Sequence, residues 1–372
     1  MPSELKVIDL VYFCNRDCNT PQQVIYRHQP SLGFVKYIRN LVNICMVKHC
    51  NYEGVNTIDN VTYAFFKRPN NFFQIPFKTH RYIKSLHPDI VIVNGLIFPL
   101  QVIALRLYLR KKCKIIAQHH GELPYEGIKK LFQKLADKCL TAYFFTAKEN
   151  AKEWVAKGVV RDINKCHEVL EASTFIEKTD KILARKVLNF KGNHNFLWVG
   201  RLITIKEPFT VLKAFQKYTI INPSARLFMI YQADTLLQEV TSFIVINELQ
   251  HFITLVGFVP HRDLPSWYTA ADYFISGSVK EGSGYALLEA MACGCIPVVT
   301  NIPTFRKLTD NGKFGFLFQL GDPEDLNRVL CELDQINSAA LSLKIENYFK
   351  TQLSFKKIAE DISRICILLH SK

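Results

Sequence analysis

The sequence lacks any long uncharged apolar run. Its most apolar stretch, 90–109, is interrupted by Asn94, Gly95, Pro99, Gln101 and Arg106. It therefore reads as strand, turn and helix, because a membrane-spanning helix needs about 20 consecutive apolar residues. Residues 1–10 show no basic region followed by an apolar core, so no secretory leader is expected. Zinc spacing is missing as well. Cys14 with Cys18 and Cys293 with Cys295 have no second pair or neighbouring histidines to complete a ligand set, and no structural metal is expected. Without an export signal, the 11 cysteines read as small apolar residues in a reducing compartment. Basic residues are not interleaved with an aromatic set or a known binding module, which argues against a nucleic acid partner.

Acidic residues are scarce, with 33 Asp and Glu against 47 Lys and Arg. The resulting formal charge of +14 is uneven: residues 1–181 hold 27 basic and 16 acidic side chains, and residues 182–372 hold 20 and 17. The densest points are Arg106, Arg110, Lys111, Lys112 and Lys114, then Lys129, Lys130, Lys134 and Lys138, several of which share one helical face. Two readings stay open: a solvated basic surface, or peripheral contact with an anionic membrane or a phosphorylated lipid acceptor, where each such charge contributes about 1 kcal/mol. At 372 residues, 48% hydrophobic and 22% charged, the chain is globular and exceeds what one core organises, so two domains are expected.

Strand-like and helix-like segments alternate. In the first half, strands are expected at 6–13, 44–48, 61–66, 90–94, 114–118 and 142–145. Helices are expected after a loop through Arg16, Asp17, Asn19 and Pro21, the first ending near Asn43, then at 77–86, 100–110, 127–140 and 148–156. The polar stretch 178–195 ends at 191–195 in a linker or the approach to a new strand. Beyond it, strands are expected at 196–200, 226–231, 252–256, 273–276, 296–299 and 315–318, with helices at 207–217, 236–248, 262–270, 285–293 and 323–333 and a helical tail beyond Ser338. Apolar runs of four to eight residues separated by amphipathic helices indicate parallel sheets covered on both faces. The division expected is 1–182 and 183–353. No sequence repeat relates the halves. Two Rossmann-like domains would bind ligands at the carboxyl ends of their strands, in a cleft.

One stretch organises the rest: Glu281-Gly282-Ser283-Gly284-Tyr285-Ala286-Leu287-Leu288-Glu289. An apolar segment leads into a Gly-x-Gly turn and then a helix, so backbone N–H groups are left uncovered at the positive end of that helix, which favours a phosphate. Carboxylates beside an anion site need their own explanation, and a nucleotide sugar supplies one. Glu281 would accept hydrogen bonds from sugar hydroxyls and Glu289, about one and a half turns into the helix, from ribose hydroxyls. The alternative is a loop charge and a helix-face charge with no ligand.

The spacing Glu, seven residues, Glu, followed by Ala-Met-Ala-Cys-Gly-Cys-Ile-Pro-Val-Val, resembles the donor-site signature of the retaining glycosyltransferases of family 4, which have the GT-B fold. Val199-Gly200-Arg201-Leu202 with Lys206 and Pro208 looks like that family's Gly-Arg-Leu segment and its lysine. Val256-Gly257-Phe258-Val259-Pro260 with Leu264 and Trp267-Tyr268 resembles the segment beside its nucleoside pocket. The motifs cover about 196–322, and the first half matches in pattern only.

The resemblance implies an α/β GT-B chain of two facing Rossmann-like domains, with the tail 354–372 packed on the first. It also implies a metal-independent transfer from a nucleotide-diphosphate sugar to a glycan or lipid-linked acceptor, with no cofactor, in keeping with the absence of an Asp-x-Asp motif. Arg201, Lys206 and the Gly282 to Tyr285 amides would then stabilise the leaving phosphate, with Gly200, Gly257, Phe258, Ser283, Ala286 and Glu289 around the donor. His120, with His119 as alternate, follows a strand where the family often has a histidine near the anomeric centre. Glu207 and Ser283 depart from common family residues. The setting implied is a cytoplasmic enzyme of surface polysaccharide or lipopolysaccharide assembly, either free or peripheral on the inner membrane face. The competing readings are a nucleotide-sugar epimerase and a non-catalytic nucleotide-sugar or glycan binding protein.

Overall fold

Short runs rich in Val, Ile and Phe build the strands, and most are buried on both faces, as strands between helical layers must be. The computed structural model describes residues 3–67, 73–192 and 194–371, so Asn193 of the expected linker lies outside the described residues. By its internal contacts the chain divides into two units, Met1–Ser173 with Phe355–Lys372, and Thr174–Ser354.

Among the described residues the first unit contains β1 (Ser3–Asn15), β2 (Val42–Cys50), β3 (Gly54–Ile58), β4 (Val61–Phe66), β5 (Ile90–Asn94), β6 (Lys114–Gln118), β7 (Ala142–Phe145) and β8 (Cys166–Glu168). They form one sheet in the order β3-β4-β2-β1-β5-β6-β7-β8. Only β3 runs antiparallel, against β4. This is a departure from the parallel sheet expected, and its cause is local: Asp59 and Asn60 both take positive φ, 48° and 61°, the two-residue hairpin geometry that Asp and Asn tolerate. β8 was also missed, being three residues long and partly charged. The single helix expected between the loop at Pro21 and Asn43 is instead three short pieces, Pro21–Arg27, Gln29–Leu32 and Val35–Ile38, interrupted around Pro30 and Gly33, and β2 already begins at Val42. The core centres on Leu10, Val47, Val91, Ile115, Phe145 and Trp154.

The second unit contains β9 (Asn195–Gly200), β10 (Arg226–Tyr231), β11 (Ile253–Gly257), β12 (Tyr273–Ser276), β13 (Ile296–Thr300) and β14 (Phe316–Phe318), all parallel, in the order β11-β10-β9-β12-β13-β14. β9 and β12 are neighbours, so the loops leaving their carboxyl ends are neighbours too. The tail is not one helix: Ser338–Tyr348 runs into a wide π turn at Phe349–Leu353, and Ser354, in extended conformation, breaks it before Phe355–His370. That last helix belongs to the first unit, where it packs on Val35–Ile38 through a buried stripe that includes Ile358, Ile362, Ile365 and Leu369.

The division after Ser173 differs from the sequence boundary at 182, and one carboxylate explains why. Thr179 N donates to Thr269 Oγ1 at 3.0 Å, and Asp272 draws in Lys181 Nζ at 2.8 Å, Arg185 Nη2 at 2.6 Å and the Asn195 amide at 3.1 Å. These bonds tie 179–185 to the start of β12, so the segment read as a connector is part of the second unit. Removing a partly buried charge with several donors should cost about 2 to 3 kcal/mol. Urea unfolding of Asp272→Ala should show a loss of this size for the second unit, and an unchanged midpoint would refute the assignment.

Candidate functional site

Two loops leave the neighbouring strands β9 and β12, and backbone contacts hold them together. After Gly200 the chain passes Arg201 and makes a tight 3-10 turn at Thr204–Lys206. Glu207 closes the turn in the left-handed region, φ 45° and ψ 52°, a conformation that glycine adopts without strain and that costs another residue about 1 kcal/mol. Its carboxylate accepts from Thr210 Oγ1 at 3.0 Å. From the other loop, Val279 N donates to Ile205 O at 2.9 Å, and Gly277 lies so close that an added Cβ would fall 2.8 Å from the Glu207 carbonyl oxygen. These contacts bring Lys206 and Glu281 together as an ion pair, both side chains less than one fifth exposed.

The loop bearing Glu281 is fixed from behind. Thr304 Oγ1 donates to Glu281 O at 2.7 Å and Thr300 Oγ1 to Ser278 O at 2.6 Å. Gly284 then turns the chain with φ 65°, where a Cβ would also approach Leu308 to 2.8 Å, and helix Tyr285–Ala292 begins. The first-turn N–H groups of this helix have no intrahelical acceptor, so they present the positive end of its dipole.

Glu289 sits one turn further in, 2% exposed. Tyr268 Oη donates to its Oε2 at 2.9 Å, and His261 Nε2 lies 2.6 Å from its Oε1. The His261 ring stacks on Tyr285 at 6.2 Å between centroids and 13° between planes. The hydrogen bond and the charge of Glu289 outweigh desolvation and raise the His261 pKa above its ordinary value. Desolvation first, and then Glu289, pushes the Tyr268 phenol well above its usual range, so Tyr268 is a donor at neutral pH.

Gly200, Arg201, Lys206, Glu281, Ser283, Gly284, Tyr285, Ala286 and Glu289 all line a cavity of about 330 Å³ within the second unit. Gly257, Phe258 and Gly282 do not line it. Phe258 is 63% exposed, and Val259 and His261 take up the wall beyond β11. His261 escaped the sequence reading. Its available signal was a position just past Gly-x-x-Pro at the carboxyl end of a strand. Among the described residues no carboxylate lies within ion-pair distance of Arg201.

His120 belongs to the first unit, just after β6. Its Nε2 is 3.1 Å from Asn94 Oδ1, and Asn94 in turn donates to Asp9 Oδ2 at 3.0 Å, while the buried Lys48 holds Asp9 Oδ1 at 2.8 Å. Nδ1 approaches Glu171 Oε2 to 2.9 Å, off the line of an ideal hydrogen bond. Burial opposes charge on this ring, but Glu171, Glu122 and Asp9 together raise its pKa. A ring held between two acceptors is a donor and not a base. His119 is buried, stacked on Phe145, with its ring nitrogens engaged by the Glu122 carbonyl and the Gly121 amide.

The two units have the GT-B architecture. Anabaena HepE, in a crystal structure with UDP and glucose, aligns over 98% of this chain and 100% of its own with a TM-score of 0.71 at 13% identity, a likeness of fold. The model of the family described as glycosyl transferases group 1 matches residues 180–347. A D-inositol 3-phosphate glycosyltransferase of Streptosporangium roseum is 28% identical over 148 residues, 37% of this chain and 33% of that protein. A UDP-Gal:alpha-D-GlcNAc-diphosphoundecaprenol alpha-1,3-galactosyltransferase of Escherichia coli is 31% identical over 144 residues, 38% and 36% of the respective lengths. The chain thus matches about a third of the length of these relatives.

The His261–Glu289 pair makes a pH prediction. A histidine whose folded pKa is raised stabilises fully below its unfolded value of about 6.5, and that stabilisation disappears as pH rises through the folded value. The stability gap between the wild type and His261→Leu should therefore be largest near pH 6 and shrink toward pH 9 in urea titrations. A gap that widens with pH would contradict the pairing.

Proposed function

We propose that this chain is a retaining glycosyltransferase of family 4 that moves a hexosyl group from a nucleotide-diphosphate sugar to a glycan or lipid-linked acceptor, with no metal or other cofactor. The observation that carries this reading is the convergence of Arg201, Lys206, Glu281, Glu289 and a helix N-terminus on one cavity. Among the described residues no group of three or more His, Cys, Asp or Glu is placed to hold a metal ion. The names of the relatives favour UDP-sugars as first donors to try and a diphosphate-linked lipid as first acceptor, within cell-surface polysaccharide or lipopolysaccharide synthesis. We place the chain on the cytoplasmic side, peripheral to the membrane. No helix among the described residues is long and apolar enough to cross one.

In this scheme the bond between the anomeric carbon and the β-phosphate oxygen breaks, and negative charge grows on the phosphate. Arg201 meets it with a planar fork and Lys206 with a point charge, while the first-turn amides of Tyr285–Ala292 contribute a fixed dipole. Such groups speed the reaction insofar as they bind the departing phosphate better than the intact donor. Glu281 accepts from the sugar hydroxyls and Glu289 from the ribose. The acceptor hydroxyl attacks the face that the phosphate leaves, and its proton passes to the leaving phosphate oxygen. His120, its two ring nitrogens already engaged by Asn94 and Glu171, takes no proton in this scheme.

The scheme has specific tests. Arg201→Ala should lower kcat by roughly a hundred- to a thousandfold, about 3 kcal/mol, with a smaller change in UDP affinity. Glu281→Ala should abolish transfer and leave nucleotide binding measurable by calorimetry. A panel of radiolabelled nucleotide sugars, scored for slow hydrolysis and transfer, should single out one donor, and the product anomer read by NMR should match that donor. An unchanged rate in Glu281→Ala, an inverted product or activity abolished by EDTA would overturn the scheme.

A further inference from the structure

Helix Gly127–Cys139 of the first unit buries Ala136 and packs Cys139 against the core, but leaves the larger apolar side chains of its pattern outside. Ile128, Leu131 and Leu135 fall on one line along the helix, three and four residues apart, and would ordinarily face the core. Instead they are 71%, 58% and 47% exposed. Gln133 and Asp137 point inward. Gln133 accepts from Tyr125 N at 2.8 Å and donates to Leu96 O at 3.1 Å. Asp137, fully buried, takes Tyr143 Oη at 2.9 Å, Arg161 Nε at 2.7 Å and Lys165 Nζ at 3.2 Å. This polar anchorage fixes which side of the helix faces out.

The outward side is basic as well as apolar. Lys129, Lys130, Lys134 and Lys138 flank the apolar line, and the described residues of the helix carry no acidic side chain except the buried Asp137. Lys129 lies over the rings of Phe73 and Tyr125, 5.3 and 5.8 Å from their centroids, and Leu123, just before the helix, is 55% exposed. Apolar side chains in water with lysines at their margins complement one kind of surface above others: acyl chains beneath anionic headgroups, which the apolar line enters while the lysine stems lie along it and their ammonium groups meet phosphate. The lysines at the margins work against a second copy of the same face, because they would meet their own kind.

We infer that helix Gly127–Cys139 is the element by which this chain docks on an anionic lipid bilayer, with Ile128, Leu131 and Leu135 inserted at the interface and Lys129, Lys130, Lys134 and Lys138 held by the headgroups. The inference rests on the peripheral placement proposed above and is independent of the transfer chemistry. It is tested by co-sedimentation of the full chain with vesicles of phosphatidylcholine alone or mixed with phosphatidylglycerol. The wild type should bind the mixed vesicles and not the neutral ones, and raised salt should weaken binding. Leu131→Ser/Leu135→Ser, both exposed and so compatible with folding, should lower the bound fraction about tenfold while circular dichroism and UDP binding stay unchanged.

If the wild type binds mixed vesicles and the double variant binds them equally, the helix assignment fails and the peripheral placement survives. If the wild type ignores both kinds of vesicle, both fail. A dimer in sedimentation velocity that the double variant abolishes would reassign the face to contact between copies and overturn the inference.

Discussion

A cavity that is to hold a diphosphate cannot carry two uncompensated carboxylates, and the structure meets that constraint pair by pair. Lys206 answers Glu281, and His261 with Tyr268 answers Glu289. With Glu281 paired to Lys206 and Glu289 hydrogen-bonded by Tyr268 and His261, the positive groups that face the cavity are Arg201, with no carboxylate near among the described residues, and the amino end of Tyr285–Ala292. Such pairing is compatible with the proposal that each glutamate accepts from hydroxyls of a donor whose diphosphate lies between them. The same pairing means that Lys206 and Glu281 act as a unit. A substitution at either leaves the other as an uncompensated charge in a site where both are mostly buried.

Backbone conformation, more than side-chain chemistry, sets the spacing of these groups. The left-handed Glu207 and the close approach of Gly277 let the turn after β9 lie against the loop after β12, and Gly284 sets the direction of the helix that follows. The strain at Glu207 is small beside what would be lost if Lys206 and Glu281 parted. It is sustained because Pro208 starts a helix at once and Thr210 holds the carboxylate. Sequence reading saw Glu207 as a departure from a common residue. The structure shows that what the position needs is a conformation, which glutamate can supply at some cost.

The alternation of strands and helices was legible because it rests on short-range pattern: β4, β5, β6, β7 and β12 lie where their apolar runs place them. What was not legible depends on partners distant in sequence. Asp272 moves 179–185 into the second unit from about 90 residues away. β3 exists because two consecutive residues take positive φ, a signal carried by the Asp-Asn dipeptide and overlooked. In the site, the Gly-x-Gly turn and both glutamates could be read from spacing. The hydrogen-bond partners of Glu289, His261 and Tyr268, come from another loop and another helix, and no local pattern ties them to it.

Helix Gly127–Cys139 shows the limit most clearly. Its periodicity is helical and strong, and periodicity alone predicts that the apolar line packs inward. The line of Ile128, Leu131 and Leu135 is left outside because Asp137 has three donors waiting on the inner side, Tyr143 on β7 and Arg161 and Lys165 beyond it, and its carboxyl is held in the charged form against the cost of burial. A buried, satisfied carboxylate resists removal strongly, since its donors would be left unpaired. Three aliphatic side chains in water cost less than that, and they cost nothing once another surface covers them. The direction a helix faces is thus decided by its most demanding polar group, and the apolar line left outside then marks where another surface is to be met.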